Sequence, residues 1–282
     1  MHVHTLHSGM CTLPFMKTLC RESYTCPAEL YATLKRLGMD LVTVTDHDSI
    51  DAAEALRRHS DFFLSEEVTC RLPTGNEIHV GVYDINERQH TQIQRRRGDF
   101  ESLVAYLGEQ DLLFGVNHVF SALTGRRDLA DFAYFEAMFP AFEALNGQMP
   151  AVANRNSAEL ASALGKAPVA GSDAHTLVSA GRAWTEVAGA RTKAEFLAGL
   201  RRGLGQARGE SGGYARLTRD ILCISAGMVR EKPATAVLAP LALAVPLATL
   251  ANYVFETCFA WRWMKRVAGA GAPKGSPAFE QS

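Results

Sequence analysis

The chain has 282 residues, and its 29 Lys and Arg side chains nearly balance its 30 Asp and Glu side chains, which leaves a formal net charge of −1. So small a net charge gives no long-range field, so it implies neither a strongly basic nucleic-acid groove nor a polybasic membrane patch. The six cysteines include no C-x-x-C pair, which excludes a zinc ribbon and a disulfide framework and favours a reducing compartment. The first residues lack the basic and then apolar pattern of a secretory signal, so we expect a cytoplasmic protein.

The chain opens with the histidine-rich stretch MHVHTLHSG. If this stretch is a strand, His2 and His4 share one face, because strand side chains two positions apart point the same way. The segment CPAELYATLKRLG then predicts a helix with Pro27 in its first turn and Gly38 at its end. The β-branched DLVTVTDHD predicts a strand, and SIDAAEALRRH predicts a helix.

Strand and helix signals continue to alternate up to about residue 205. DFFLSEEVTC and EIHVGVYDI are predicted strands, and the turn PTGN between them indicates a hairpin. An amphipathic helix, DFESLVAYLGEQ, precedes strands at LLFGVNHVF and FEALN, a helix at SAELASALG and a strand at KAPVAGSDAH. A last helix, TKAEFLAGLRRG, is capped by Thr192, and the run QRRRG is expected to start a solvated helix. This alternation favours a parallel barrel or a doubly wound sheet.

The C-terminal segment differs from the rest of the chain. Residues 233–255 carry no charge and are long enough to cross a bilayer, which takes roughly 20 residues. Basic residues flank both ends, and Trp261 and Trp263 stand where an interfacial aromatic belt would place them. Two interpretations stay open, namely membrane association, by dipping into the bilayer or spanning it, and an apolar helix packed on the globular domain or on a second subunit. We therefore divide the chain into a domain at 1–227 and an apolar tail at 228–282.

Histidines and carboxylates gather at the carboxyl ends of the predicted strands, where a (β/α) barrel builds its active site. Imidazole and carboxylate ligands suit zinc, manganese or iron, and so many ligands exceed the need of one tetrahedral ion. Two or three ions sharing a carboxylate would use them all, and neighbouring ions can generate a hydroxide at neutral pH. The predicted ligands are His2, His4, His47, Glu67, His79, His118, Asp173 and His175.

The motifs H-x-H-T-x-x-S-G, T-D-H-D-S, E-V-T, H-V, N-H and G-S-D-A-H follow one another in this order. Together they resemble the polymerase and histidinol phosphatase (PHP) superfamily of metal-dependent phosphoesterases, over a stretch from His2 to about Arg208. The resemblance implies a distorted (β/α)7 barrel that holds two or three divalent metal ions at its strand ends. It also implies the hydrolysis of a phosphoester, either a monoester or a diester, by a hydroxide that bridges the ions.

The resemblance distributes the predicted ligands over three ions. Those implied for the first ion are His2, His4, Glu67 and Asp173. Glu67 bridges to a second ion, which His79 and His118 also hold, and His47 and His175 belong to a third. The catalytic residues that it implies are Glu67, His47 and Asp173.

The chain departs from the family pattern near its start. Many relatives have Asp where this chain has Gly9, so the third ion needs His7 or Glu22 as a replacement ligand, or only two ions bind. Relatives also carry several residues before the H-x-H, where this chain has only Met1. We therefore expect either a frayed first strand that binds metal weakly or residues missing upstream.

Other polar residues have expected roles around the metal ligands. Arg126 and Arg182 are predicted to bind the phosphoester, because a planar guanidinium fits phosphate oxygens, whereas Arg127 is expected to be an exposed loop charge. Glu66 should face away from Glu67, since adjacent strand residues point to opposite sides. Asp46 is expected either to orient a histidine or to cap the helix that follows it.

The predicted function is the metal-dependent hydrolysis of a small-molecule phosphoester, with no nucleic-acid polymer as partner. One alternative is an amidohydrolase-like enzyme, although such enzymes often bridge their metals with a modified lysine and this chain offers Glu67 instead. The other is a non-catalytic metal-binding module tethered to a membrane or complex. The absence of a glycine-rich phosphate loop excludes a P-loop nucleotide site.

Overall fold

The computed structural model describes residues 1–12 and 16–269 and has a mixed α/β fold. Its main sheet has five strands in chain order: β1 (Ser65–Arg71), β2 (Glu77–Tyr83), β3 (Leu113–Val116), β4 (Ala141–Asn146) and β5 (Ala167–Gly171). The predicted hairpin is confirmed, because β1 and β2 pair antiparallel across their full length. The β2–β3 pair is also antiparallel, and only β3, β4 and β5 run parallel. The sheet is therefore mixed rather than uniformly parallel.

Among the described residues, the strands predicted at the N-terminus and at DLVTVTDHD do not form as regular strands, so regular strands do not close the sheet into a barrel. Single bridges hold the two segments, one pairing Val3 with Ala174 and another pairing His47 with Glu67. The physical reason is that side-chain oxygens take backbone N–H groups that a ladder would use. Val3 N–H donates to Thr45 Oγ1 at 3.0 Å, and Thr5 N–H donates to a carboxylate oxygen of Asp46 at 2.6 Å. The first segment is nevertheless not frayed, since Val3 is buried.

Most helices form where the sequence predicts them. The Thr192 side chain accepts the N–H of Glu195 and caps its helix, as expected. The QRRRG run is an exception, because Arg95 and Arg96 lie in the last turn of a helix rather than at its start. The α-helices that precede residue 214 are α1 (Pro27–Arg36), α2 (Ala53–Leu56), α3 (Glu87–Arg96), α4 (Phe100–Glu109), α5 (Leu129–Met138), α6 (Ala151–Ala163) and α7 (Lys193–Arg201).

A phenylalanine-rich core fills the space between the main sheet and the helices α4, α5 and α6. Burying one such side chain contributes roughly 1.5–3 kcal/mol, so this cluster supplies much of the force that holds the sheet to its helices. A smaller antiparallel pair of β6 (Ala183–Val187) and β7 (Gly205–Gly209), joined through α7, lies beside β5. The fully buried rings of the core are Phe120, Phe132, Phe135, Phe139 and Phe142.

The C-terminal part consists of α8 (Tyr214–Glu231), a 3₁₀ helix (Pro233–Ala244) and α9 (Val245–Gly269). The predicted apolar helical tail is therefore present, although α8 continues through the division expected at residue 227. Within the described residues, one helical segment, Pro233–Gly269, is long and apolar enough to cross a membrane. One stripe of α9 packs against α8, α6 and α5. The buried residues of that stripe are Thr249, Glu256, Ala260, Trp263 and Val267.

Candidate metal centre

Four predicted ligand atoms converge at one place, and we call the space around them the mouth of the fold. His2 Nε2 lies 3.0 Å from His4 Nε2, 3.1 Å from Glu67 Oε2 and 3.4 Å from Asp173 Oδ1. His4 Nε2 lies 3.3 Å from the same Glu67 oxygen and 3.2 Å from the same Asp173 oxygen. A tetrahedral ion with bonds of about 2.0–2.1 Å requires ligand atoms about 3.3–3.4 Å apart. These four atoms thus already have nearly the spacing of a tetrahedral metal site.

The second oxygen of Glu67 faces a different pair of histidines. Glu67 Oε1 lies 3.3 Å from His79 Nδ1 and 3.4 Å from His118 Nε2, and it accepts a hydrogen bond from Asn117 Nδ2 at 2.8 Å. His79 Nδ1 is buried and makes no hydrogen bond, which is costly for a ring nitrogen unless a cation takes its lone pair. The carboxylate of Glu67 is therefore placed to bridge two cation positions.

A third group lies around His47. His47 Nδ1 is 3.2 Å from Glu67 Oε2, and its Nε2 is 3.5 Å from Glu22 Oε2. The rings of His47 and His175 stack on His4, with centroids 4.6 and 4.3 Å from its ring. One ligand atom from each of these three histidines lies within 4.8 Å of the others. His7 and Glu22 were the two residues considered as replacements for the aspartate that relatives have at position 9. Of these, Glu22 is the one for which a contact with this group is seen.

The backbone places two of these ligands in a conformation that non-glycine residues adopt infrequently. His118 has a φ of 31° and Asp173 a φ of 48°, both in the left-handed region. Each lies two residues beyond the end of a strand, where the chain turns away from the sheet. Strained residues of this kind persist where the surrounding structure holds them, and they cluster at functional sites.

Glu143, which the sequence analysis did not select, fixes the first histidine. Its Oε1 lies 2.8 Å from His2 Nδ1, and its Oε2 accepts the backbone N–H of His118 and the side-chain amide of Asn146, both at 2.9 Å. Asn146 also donates to Asp173 Oδ2 at 3.0 Å. The available signal was an acidic residue among the apolar residues of strand β4, since a fully buried Glu is rare unless paired.

Asp46 orients a histidine, in line with one of its two expected roles. It accepts the hydroxyl of Ser8 at 2.6 Å, and Ser8 Oγ lies 2.9 Å from His4 Nδ1. The same carboxylate accepts the hydroxyl of Thr5 at 2.6 Å. Such outer contacts fix the ring and leave Nε2 free to face the cluster.

Comparison with known proteins agrees with this arrangement. The model of the PHP-associated family matches residues 152–204, a segment that contains Asp173 and His175 of the G-S-D-A-H motif. Over this segment the chain is similar to PHP-associated proteins. The amino-terminal motifs lie outside the matched segment, and their side chains meet it at the same cluster.

Several solved structures are similar to this chain, and one of them, with a TM-score above 0.5, shares its fold. PsfC from Pseudomonas syringae PB-5123 is 17% identical, with a TM-score of 0.53 over 80% of this chain and 95% of that protein. A Bifidobacterium adolescentis protein described as a metal-dependent phosphoesterase is 12% identical, with a TM-score of 0.43 over 62% and 87% of the two chains. The lesion-specific endonuclease EndoQ from Pyrococcus furiosus is 20% identical, with a TM-score of 0.48 over 74% and 56%. A comparison with curated proteins found no match.

The electrostatics of the candidate metal centre favour ionised carboxylates among the histidine rings. Burial opposes the charged form of His4, but Asp173 and Glu67 outweigh burial and raise the pKa of His4 to about 9. Burial likewise opposes ionisation of Glu67 and Asp173, yet the surrounding histidines hold the pKa of both carboxyls below the usual range. Burial and the neighbouring His4 lower the pKa of His175 to about 4. The centre thus presents two anionic bridging or terminal ligands and several imidazoles to a divalent cation.

The selected arginines are not part of the ligand clusters described above. Arg182 is exposed and lines a cavity of about 510 Å³ with Leu37 and Trp184, whose lining includes none of the eight predicted ligands. Arg126 is also exposed, and the substrate-binding roles of both arginines stay predictions. Arg127 is not an exposed loop charge, because it is buried and donates to the carbonyls of Val119 and Glu77.

Proposed function

We propose that this protein hydrolyses a phosphoester by means of two or three divalent ions, zinc, manganese or iron, held by the eight predicted ligands. The observation that carries the proposal is the position of Glu67, whose two carboxylate oxygens each face a separate set of imidazoles. When bound, the ions supply positive charge to the phosphoryl group and a water of lowered pKa. The presence of a carboxylate at the bridging position favours this reaction over that of the lysine-bridged amidohydrolases.

The chain's own residues define how a substrate would enter. Five of the eight predicted ligands are almost fully buried, whereas the side chains of His47, His79 and His175 are 16%, 17% and 21% exposed. We propose that the phosphoester approaches over these three rings. Burial holds the pKa of His47 well below its usual value, so its imidazole is neutral and serves as a ligand rather than as an acid.

The proposed catalytic residues are Glu67, His47 and Asp173. Asp173 is held by Asn146 and stays ionised, so it can fix the first cation while its strained backbone directs it into the mouth. We also propose that segments 2–4 and 42–47 are the two remaining strands of a distorted (β/α)7 barrel. The likeness in fold to PsfC and the bridges at Val3 and His47 support this interpretation.

The proposal is tested with purified full-length protein. Metal atoms per chain are counted by elemental analysis, and turnover of p-nitrophenyl phosphate and bis(p-nitrophenyl) phosphate is measured with and without added manganese or zinc. We expect His4→Ala and Asp173→Ala to abolish turnover, whereas His59→Ala, a change in a histidine that stacks on Tyr31, leaves it unchanged. Metal binding without turnover of either ester would instead support the non-catalytic metal-binding module.

The cytoplasmic location and the small-molecule substrate are parts of the same proposal. The composition supports both, because a net charge of −1 offers no field to attract a nucleic-acid polymer. A salt titration of the activity tests this point. We expect turnover of a small ester to change little with salt, whereas an enzyme of polymeric nucleic acid loses affinity steeply as salt rises.

A further inference from the structure

The C-terminal segment presents a continuous apolar surface to solvent. We call the outward side of residues 233–261 the tail face. Leu243 is 88% exposed, Val237 79%, Leu247 72% and Leu241 65%. On the same face, Val254, Phe255 and Trp261 of α9 are more than half exposed. A surface that exposes so many large apolar side chains is typical of one that docks on a protein or a membrane.

The opposite side of α9 is fixed to the globular domain by polar contacts as well as by packing. Glu256 accepts the backbone N–H of Ala122 at 3.1 Å, and Asn156 donates its amide to the carbonyl of Ala260 at 2.8 Å. The ring of Trp263 stacks on Phe132 at 5.8 Å. To cross a bilayer, α9 would have to leave these partners and carry the buried Glu256 into hydrocarbon, which is costly. The helix is therefore held lengthwise on the domain.

The C-terminal segment that carries the tail face contacts two loops that bear residues of the metal centre. Glu231, at the end of α8, pairs with Arg21 at 2.6 Å, in the loop that carries Glu22. On the other side, Glu256 binds the loop that follows His118. The next residue of that loop, Leu123, is 56% exposed and adds an apolar side chain beside this contact.

The charges around the tail face favour a lipid surface over a second copy of the chain. Of the two acidic residues between 230 and 269, Glu256 is buried and Glu231 is paired with Arg21. A two-fold dimer places a patch against itself, so basic ends would meet basic ends. Anionic headgroups complement the same charges, and Trp261 beneath Lys265 suits the interface of a bilayer. The basic residues at the two ends are Arg230, Lys232, Arg262, Lys265 and Arg266.

We propose that the tail face lies in the plane of an anionic lipid bilayer and that the metal centre hydrolyses a phosphoester lipid drawn from that bilayer. The second part rests on the proposed function, whereas the first does not. In this arrangement the apolar part of the substrate stays among the lipids, and its phosphoester reaches the rings at the mouth.

Binding is tested by sedimenting full-length protein with vesicles of phosphatidylcholine alone or with added phosphatidylglycerol. We expect binding to the anionic vesicles, release by alkaline carbonate, and more than about tenfold weaker binding for the double variant Leu243→Asp, Leu247→Asp. Leu204→Asp is the matched control, because Leu204 is an exposed leucine outside the tail face, and it should bind like the wild type. Failure to bind, resistance to carbonate, or a dimer that the double variant dissociates would overturn the proposal.

Substrate class is tested with vesicles of phosphatidylglycerol that carry phosphatidic acid, and thus present a diester and a monoester, against free glycerol 3-phosphate. We expect the double variant to lose turnover of the vesicle lipids and to keep turnover of p-nitrophenyl phosphate. Faster turnover of glycerol 3-phosphate, unchanged in the double variant, would overturn the lipid substrate and leave the proposed function intact. Absence of turnover on every ester would instead overturn the proposed function, and the sedimentation result would still decide the docking of the tail face.

Discussion

Replacing Glu143 with glutamine should weaken metal binding although Glu143 is not itself a proposed ligand. Its carboxylate only accepts hydrogen bonds, so His2 Nδ1 carries the proton and Nε2 keeps a lone pair for a cation. In Glu143→Gln, the side-chain oxygen of the glutamine has to take the position of Oε2, because the His118 N–H and the Asn146 amide both donate to that atom. The new NH₂ group then faces His2 Nδ1 and forces it to accept. The proton moves to Nε2, which points into the cluster and no longer serves as a ligand.

The size of the effect follows from how many contacts change. Two of the three hydrogen bonds to Glu143 survive in the variant, and the one to His2 reverses its direction. Removing an outer partner of a metal-bound histidine typically costs about 10- to 100-fold in metal affinity. That range corresponds to about 1.4–2.8 kcal/mol of binding free energy. The fold itself should change little, because glutamine has the shape of glutamate.

The assay is a competition titration of zinc between the full-length protein and a coloured chelator, repeated with the variant. Glu54→Gln is the control, because Glu54 is an exposed residue of the short helix α2 and pairs only with Arg57 among the ion pairs of the described chain. An unchanged zinc affinity in Glu143→Gln, with a normal melting temperature, would refute the tautomer argument. A variant that does not fold is excluded by its circular dichroism spectrum before titration.

Three further changes test the fold around the centre. In Gly171→Ala, the new Cβ would lie 2.2 Å from the Cβ of His2, so we expect a loss of about 1–3 kcal/mol of unfolding free energy in urea and weaker zinc binding. His90 Nδ1 lies 2.9 Å from a carboxylate oxygen of Glu66, whose hydrogen bond raises the pKa of His90. That stabilisation is complete below the unfolded pKa of about 6.5 and is lost as pH rises through the folded pKa, so the melting-temperature difference between wild type and His90→Gln should shrink from about pH 6 to about pH 9. Thr192→Ala removes the cap of α7 and should cost about 1 kcal/mol by urea denaturation.

Each of these expectations has a contrary result. Gly98→Ala is the control for the glycine change, since nothing lies near its added Cβ, and equal stability of the two alanine variants would contradict the close approach of His2 and Gly171. For His90→Gln, a melting-temperature difference that stays constant or grows with pH would show that the pair contributes no charge interaction. A Thr192→Ala variant as stable as the wild type would mean that solvent caps α7 equally well.

The sequence predicts the local elements of this protein better than their long-range contacts. The hairpin of β1 and β2 and the cap at Thr192 depend on residues a few positions apart, and both are confirmed. The two missing strands depend instead on Thr45 and Asp46, which take backbone N–H groups from the N-terminal segment about 40 positions away. Strand propensity depends on neighbouring residues and carries no information about hydrogen bonds to side chains so far along the chain. The β-branched run around Thr45 therefore predicted a strand that did not form.

The residues of the candidate site that could be predicted are likewise those that the local sequence pattern identifies. Residue types and spacing brought together the predicted ligands, because histidines that follow strands share one end of the sheet. Glu143 was missed, since it lies inside β4 rather than after a strand, and its partner His2 is 141 positions away. Arg127 was misjudged for a similar reason. The carbonyls of Val119 and Glu77 that bind its guanidinium are brought together only by the tertiary fold.

The buried stripe of α9 also bears on how the protein can be handled in the laboratory. Trp263 and Ala260 belong to the same apolar cluster as Phe132 and Phe135. Deleting the C-terminal segment would therefore expose one side of the aromatic core to solvent and promote aggregation. Polar replacements at outward leucines such as Leu243 leave those core contacts in place. Detergent-free preparations are therefore better obtained by substituting exposed apolar residues than by truncating the polypeptide.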